Sequence, residues 1–389
     1  MRIIVIGGGV AGAASALALR RIGAEVAVYE AYPDPAGDVG SFVSLAANGL
    51  RGLELLGCLP AVQEAGLRVP RLRMWSAGGH LLGDVARGRR SEDPLHSVTL
   101  LRGSLVETLR AAAVAAGAEL RLGERMTGAT PTERGARVEF ASGRTDSADL
   151  VVAADGIWSS LRGAVDPAAG RPEYAGLYTV SGVSHGIEVE PGTFNLTFAR
   201  RGAFFHLAAE NGEVWWGAQI DEPVAPERDG VEDAAWLRRV AEAYRREAEP
   251  SRVIAATARL HHPVLMHVLE PVRTWHRGRI VLTGDAAHPV GAGQGASMAI
   301  EDAIALAEAL RTAATPKAAL ETYAAQRNPR IAKVLETAED NRDAKRAGPV
   351  ARRAKAVMMR LFIPLMYEKA SGWLYDYRPE LGASDAQVH

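Results

Sequence analysis

The residues able to do chemistry in this chain begin with its first glycines. Gly7-Gly8-Gly9-Val10-Ala11-Gly12 has the spacing G-x-G-x-x-G and directly follows the apolar run Arg2-Ile3-Ile4-Val5-Ile6. In that spacing Gly7 permits a tight turn, Gly9 lets the backbone approach a pyrophosphate, and Gly12 lets the next helix pack on the strand. The helix N-terminus then offers free N–H groups and a partial positive charge to phosphates. Glu30 ends the following apolar run, where a carboxylate suits bidentate bonding to ribose hydroxyls. The set predicts dinucleotide binding and does not separate NAD from FAD.

Other segments place polar residues beside glycine. Leu282-Thr283-Gly284-Asp285-Ala286-Ala287-His288-Pro289 is followed by Gly291-Ala292-Gly293-Gln294-Gly295 and then by Ile300-Glu301-Asp302-Ala303. Ala154-Asp155-Gly156-Ile157-Trp158-Ser159-Ser160-Leu161-Arg162 has the spacing D-G-x-x-S-x-x-R. Arg102 begins a helical pattern, and residues 40–56 contain Asn48-Gly49-Leu50-Arg51. In this order the segments resemble the class A flavoprotein monooxygenases, the aromatic-hydroxylase family that includes para-hydroxybenzoate and salicylate hydroxylases. The resemblance runs from residue 3 to about residue 310.

The resemblance implies roles residue by residue. Asp285 would contact the ribityl chain of FAD, Arg102 the pyrophosphate, and the Asp155 segment both FAD and a nicotinamide nucleotide. Residues 40–56 would lie beneath the isoalloxazine ring. Gly293 and Gly295 feed a helix near Ala296, whose N-terminus would stabilise negative charge on the reduced flavin ring. FAD is then held noncovalently and NAD(P)H visits transiently; no second G-x-G-x-x-G occurs in the chain. The implied activity is a hydroxylase using NAD(P)H and O₂, through a flavin C4a-hydroperoxide, on an aromatic or enol-like small molecule, as in specialised metabolism. One departure stands out: only Pro289-Val290-Gly291-Ala292 separates His288 from Gly293, shorter than in many relatives. His288 reads as an organiser of its loop. A halogenase of related fold needs a W-x-W-x-I-P motif, which Trp215-Trp216-Gly217-Ala218-Gln219-Ile220 does not match. It also needs a lysine in the N-terminal half, and the first lysine here is Lys317. A reductase of the same fold and a noncatalytic FAD-binding protein remain as alternatives.

These residues need elements to hold them. The opening reads strand, turn, helix, strand, closing a βαβ unit, and 150–154 and 279–283 read as further buried strands. Four antiparallel strands are expected over 178–184, 192–200, 203–209 and 213–220, with Glu210-Asn211-Gly212 as a hairpin turn, and a helix over 230–246. The expected fold is α/β: a Rossmann-like FAD/NAD(P)-binding domain, an inserted, mainly antiparallel β-sheet substrate domain and a C-terminal helical tail. The FAD-binding domain is discontinuous over 1–72, 97–172 and 273–340, the substrate domain covers 73–96 and 173–272, and the tail covers 341–389. One face of the inserted sheet should wall the substrate cavity. Alternation puts Phe204, His206 and Ala208 together, likewise Val214, Trp216, Ala218 and Ile220, with Trp215, Gly217 and Gln219 opposite. His206, Trp216 and Gln219 are the pocket candidates, and no residue is singled out as a catalytic acid or base. The basic stretch 352–355 followed by the apolar 358–366 reads as packing against the FAD domain.

Composition bounds the partners. With 45 Lys+Arg against 46 Asp+Glu, the net charge of −1 lacks the field that drives nonspecific nucleic-acid binding. The single Cys58 excludes an intramolecular disulfide and a multi-cysteine metal site, and the histidines have no metal-ligand spacing. Apolar runs are strand-sized, so neither a membrane span nor a signal peptide is expected, and a cytoplasmic location follows.

Overall fold

The computed structural model describes residues 1–33, 42–291, 293–345 and 349–382, with backbone alone at 340–345, 349–355 and 364–365. The first sheet has the spatial order His276–Arg277 (β18), Ile280–Leu282 (β19), Leu150–Ala153 (β12), Arg2–Ile6 (β1), Glu25–Tyr29 (β2) and Glu119–Arg121 (β8). Apart from β18, which is antiparallel to β19, these strands run parallel. Ile3, Ile4, Val5 and all of β12 are buried, the pattern of strands covered on both faces. Val10–Arg21 (α1), rich in alanine and leucine, crosses from β1 to β2. It packs against Arg102–Ala115 (α4) and Gly295–Thr312 (α8).

A second sheet has seven strands, in the order Thr257–Val268 (β17), Glu173–Ser184 (β13), Val214–Asp221 (β16), Gly202–Ala208 (β15), Thr193–Ala199 (β14), Arg71–Ser76 (β5) and Leu81–Ala86 (β6). All its neighbours are antiparallel except β14 and β5. The turn between β15 and β16 puts Asn211 at φ +57° and Gly212 at φ +74°, as an Asn-Gly turn allows. The edge strand β17 is the one the sequence reading omits. Among its residues only Pro263 is buried, so no apolar alternation marks it. Backbone pairing to β13 holds it.

Asp233–Tyr244 (α6) and Ala248–Ala255 (α7) cover one face of this sheet. Helix α6 buries Trp236, Val240 and Tyr244, spaced four apart on one stripe. Two small sheets complete the strands: Phe42–Leu45 (β3), Val98–Leu101 (β7) and Leu67–Arg68 (β4), then Met126–Pro131 (β9), Ala136–Phe140 (β10) and Thr145–Ala148 (β11). The remaining helices are Ala47–Leu55 (α2), Leu59–Glu64 (α3), Arg162–Val165 (α5), Pro316–Lys345 (α9) and Pro349–Tyr375 (α10). The fold is therefore the expected α/β type, with the second sheet inserted in two pieces, β5 and β6 between β4 and β7, and β13 to β17 between β12 and β18.

Helix α10 departs in part from its expected packing. Met359, Ile363 and Tyr367 join Leu72, Met74 and Leu82 on the inserted sheet, and only the end of the helix, at Leu374 and Tyr375, meets the first core. The side chains of the basic stretch 352–355 lie outside the described residues. Among the described residues no helix is long and apolar enough to cross a membrane.

Candidate active site

The glycine loop, the Asp155 segment and the Asp285 segment leave the carboxyl ends of three adjacent parallel strands, β1, β12 and β19. In open α/β sheets this edge is where ligands bind. Gly7 turns at φ +97°, and a Cβ on it would sit 2.5 Å from the Ala154 carbonyl oxygen. A Cβ on Gly12 would lie 1.8 Å from the Gly7 carbonyl oxygen, so helix and loop meet in backbone contact. Gly9 differs: it precedes α1, and a Cβ there would meet nothing within 4 Å. Glu30 accepts a hydrogen bond from the Gly8 N–H at 2.7 Å, and Arg110 of α4 donates to the Gly8 carbonyl at 2.6 Å. The carboxylate is thus held beside the phosphate loop.

The Asp285 segment is laced to the Asp155 segment. Arg162 is buried and donates from Nε to the Ala286 carbonyl at 2.8 Å and from a terminal nitrogen to the Ile157 carbonyl at 2.7 Å. Asp155 accepts from the Ser160 N–H at 2.9 Å. Asp285 is open to solvent, yet it lies in a recess deep enough that desolvation raises its carboxyl above the usual range; His288 and Arg102 pull the other way. Arg102 is the first residue of α4, and its side chain is exposed. Gly295 opens α8, and a Cβ on it would lie 3.7 Å from Asp285 Oδ1. Gly293, at φ +108°, would direct a Cβ into open space. Ala292 and residues 34–41, which include Gly40 of the expected ring-binding segment, lie outside the described residues. The rest of that segment packs closely: a Cβ on Gly49 would lie 2.5 Å from Ser297 Oγ. Among the described residues, Ser297 Oγ, Gln294 Oε1 and Asp155 Oδ1 have no hydrogen-bond partner. Open glycine backbone at a helix N-terminus, an accessible recessed carboxylate and unpartnered polar atoms fit a long, phosphate-bearing, polyhydroxylated ligand such as FAD.

Behind the loop lies an ion network. His288 Nε2 meets Asp302 Oδ2 at 2.5 Å, the Gly284 N–H donates to the same oxygen at 2.9 Å, and Arg327 donates to Oδ1 at 2.7 Å. Arg327 also pairs with Glu301, which accepts from Asn48 of α2 and from Arg330. Burial works to raise the Asp302 carboxyl, but His288 and Arg327 outweigh it and hold it at about 2. Arg51 is no surface charge: it is buried, pairs with Asp93 and donates to the Tyr375 carbonyl.

The inserted sheet has a helix-covered face and an inner face. His206 and Trp216 lie on the first. Trp216 packs with Phe204 and Trp236, and His206 faces Glu249 of α7 at 3.5 Å. Gln219 lies on the inner face with Phe205 and Trp215. There Phe42 stacks on Trp215 (5.7 Å between ring centres) and meets Phe205 edge-on at 5.8 Å, while Phe194 stacks on Phe205 at 5.6 Å. All four rings are half-buried and pack on one another as an aromatic cluster that joins this face to β3, the strand that leads into α2. Sequence reading did not single out Phe42, Phe194 or Arg110. A separate surface groove of about 490 Å³, lined by Tyr178, Arg200, Arg239 and Glu247 among others, opens on the helix-covered side, away from the strand-end motifs.

A Rossmann-like sheet with three ligand loops at its carboxyl edge, joined to an aromatic-lined antiparallel sheet, defines an FAD-dependent monooxygenase of the aromatic-hydroxylase class. The chain belongs to the FAD binding domain family, whose model matches residues 1–338. It is similar to 3-amino-4-hydroxybenzoate 2-monooxygenase PtnB3 of Streptomyces platensis, with 32% identity over 86% of this chain and 85% of the relative. It is also similar to kynurenine 3-monooxygenase of Salinispora arenicola, with 31% identity over 84% of this chain and 76% of the relative. Among solved structures, Klebsiella pneumoniae HpxO complexed with FAD and uric acid shares the fold at TM-score 0.83 and 23% identity, covering 97% and 96% of the two chains. A salicylate hydroxylase substrate complex matches at TM-score 0.79 and 21% identity, covering 97% and 95%.

Proposed function

We propose that this monooxygenase inserts one oxygen atom from O₂ into an electron-rich aromatic or enol-like small molecule, with NAD(P)H as a transient hydride donor. The observation that carries this reading is the half-buried aromatic cluster of Phe42, Phe194, Phe205 and Trp215 on the inner face of the inserted sheet. It adjoins the segment that joins β3 to α2, and α2 in turn packs on Ser297 at the start of α8. Such a cluster offers aromatic faces on which a flat ring can pack away from water. Relatives named for action on aminohydroxybenzoate and kynurenine support an aromatic substrate.

FAD, when bound, supplies hydride acceptance and oxygen activation. The chain's own residues would do the holding. The open backbone at Gly9 would approach the pyrophosphate together with Arg102, with Gly7 and Gly12 shaping the turn and its packing on α1; Glu30 would take the ribose and Asp285 the ribityl hydroxyls. Arg162 holds the Asp285 turn through the Ala286 carbonyl, Asp155 would contact the cofactor, and Gly293 and Gly295 would present the α8 N-terminus to the ring. Gln219 is a polar handle on the inner face. His206 and Trp216, turned toward α6 and α7, would instead support that wall from behind. The test is a screen of phenols, indoles and aromatic acids for stimulated NAD(P)H oxidation, with product mass measured. Substrate-dependent oxidation with product gaining one oxygen supports the reading; a reduced product formed equally well without air contradicts it.

A further inference from the structure

The groove on the helix-covered side of the inserted sheet takes no part in the cofactor loops or the aromatic cluster. Its volume is about 490 Å³, within the range of about 300–1,000 Å³ usual for small-ligand sites. Helix α6, the turn between β14 and β15, the end of β16 and Tyr178 of β13 enclose it. Five arginines and three glutamates line it, which leaves positive charge in surplus. Arg245 pairs with Glu242, and Arg200 with Glu247. Arg201, Arg239 and Arg246 are exposed and make no ion pair among the described residues. Arg201 donates a long bond of 3.4 Å to the Asp221 carbonyl, and Arg239 lies 5.0 Å from the centre of the Trp236 ring. Two of the lining side chains are buried and form the floor. The Tyr178 hydroxyl has Arg239 and Glu222 near it but no hydrogen bond of good geometry; burial first and Glu222 next push its pKa up to about 12, so it stays protonated. Glu247 Oε1 accepts from the Arg200 backbone N–H at 3.1 Å and from its guanidinium at 2.9 Å, while Oε2 has no partner among the described residues. Buried polar atoms are as a rule paired, and a carboxylate oxygen can only accept. The groove thus has free cations at its mouth and, at its floor, an acceptor in want of a donor.

We propose that this groove binds a small hydroxylated organic phosphate, with the phosphate among Arg201, Arg239 and Arg246 and a hydroxyl donating to Glu247 Oε2. A phosphate offers several acceptor oxygens at once, and guanidinium forks pair with them bidentately. The floor sets the rest of the ligand. A molecule anionic at both ends, such as a dicarboxylate, would press one charge against Glu247, whereas a neutral hydroxyl satisfies it. Tyr178, Ile220 and Ala243 supply carbon surface for the body of a sugar or polyol. A ligand so held bridges α6 and the turn between β14 and β15, so it stabilises the folded chain by mass action.

The test needs no turnover and no oxygenation substrate. Ribose 5-phosphate, ribose and inorganic phosphate are titrated into the FAD-loaded enzyme by calorimetry, at physiological ionic strength so that diffuse attraction between exposed charges is screened. Loaded FAD keeps the probes out of the cofactor loops. Ribose 5-phosphate should bind one site per chain, at least about tenfold more tightly than either ribose or inorganic phosphate, and should raise the melting temperature. The double variant Arg201→Gln with Arg239→Gln should lose at least about tenfold in that affinity with its FAD content unchanged. If the double variant does not fold, Arg201→Gln alone, at an exposed turn position, decides by a loss of at least about threefold. No saturable binding of ribose 5-phosphate, equal binding of inorganic phosphate, or an affinity that survives loss of the guanidiniums would overturn the proposal.

Discussion

Gly9 and Gly12 stand three residues apart in one motif, yet their surroundings demand glycine for different reasons. A side chain at Gly12 would run into the Gly7 carbonyl oxygen, whereas one at Gly9 would meet no protein atom within 4 Å. Gly12→Val should therefore destabilise the fold, and Gly9→Val should leave a folded protein that fails to retain FAD. Thermal melts and FAD titrations of the two variants check this; a Gly9→Val protein with normal FAD affinity would contradict the pyrophosphate assignment. Asp285→Ala should weaken FAD binding by about 1–3 kcal/mol, the scale of a lost charged hydrogen bond. The same titration reads it, with unchanged affinity as the contrary result. What the sequence disclosed at this scale was local. Gly7, Glu30, Asp155 and Asp285 stand in contiguous motifs, and the structure draws those motifs to adjacent strand ends. Arg110 has no such spacing. It acquires its setting from a partner far along the chain, Gly8.

At the scale of elements, the Asp285 turn is held by helices. Asp302 of α8 receives the Gly284 N–H, His288 and Arg327, and Arg327 reaches across from α9 to Glu301 as well. Arg327, Glu301 and Asp302 are wholly buried. Removing the cation while keeping the carboxylates leaves uncompensated buried charge, so Arg327→Met should cost about 3–5 kcal/mol in urea unfolding. A loss below about 1 kcal/mol would contradict the network's role. The pH dependence has a definite sign. The Asp302 carboxyl is held at about 2 in the fold against an ordinary 3.8, so its contribution is fully present above the unfolded value and lost as pH falls toward about 2. The stability gap between wild type and Asp302→Asn should shrink across that window; a gap that widens with acid would contradict it. Sequence alone showed an Ile-Glu-Asp-Ala run and a histidine without a visible partner. The pairing appears only when α8 and α9 pack together.

The inserted sheet shows the same limit. Alternation sorts Phe204, His206 and Trp216 from Phe205, Trp215 and Gln219, but period two carries no direction. Which face looks inward is decided by α6 and α7, whose Trp236, Val240 and Tyr244 take up Phe204 and Trp216. Strand β17 escaped notice because an edge strand need not alternate.

For the whole molecule, the chain leaves the nucleotide-binding sheet twice, between β2 and β8 for β5 and β6 and after β12 for β13 to β17, and returns at β18 and β19. That route sets the inner face of the inserted sheet against Phe42 of β3, the strand that itself meets α8. The docking of the C-terminal helix on the inserted sheet, where Tyr367, Phe194 and Leu196 border the same apolar cluster, was outside what sequence patterns disclose. The central claim is that the joined halves carry out oxygen transfer. It is tested most directly by running turnover under ¹⁸O₂ with NAD(P)H and a substrate that stimulates NAD(P)H oxidation, then measuring the product mass. The account predicts one ¹⁸O atom in each product molecule. A product without label, formed at the same rate in the absence of air, would contradict it.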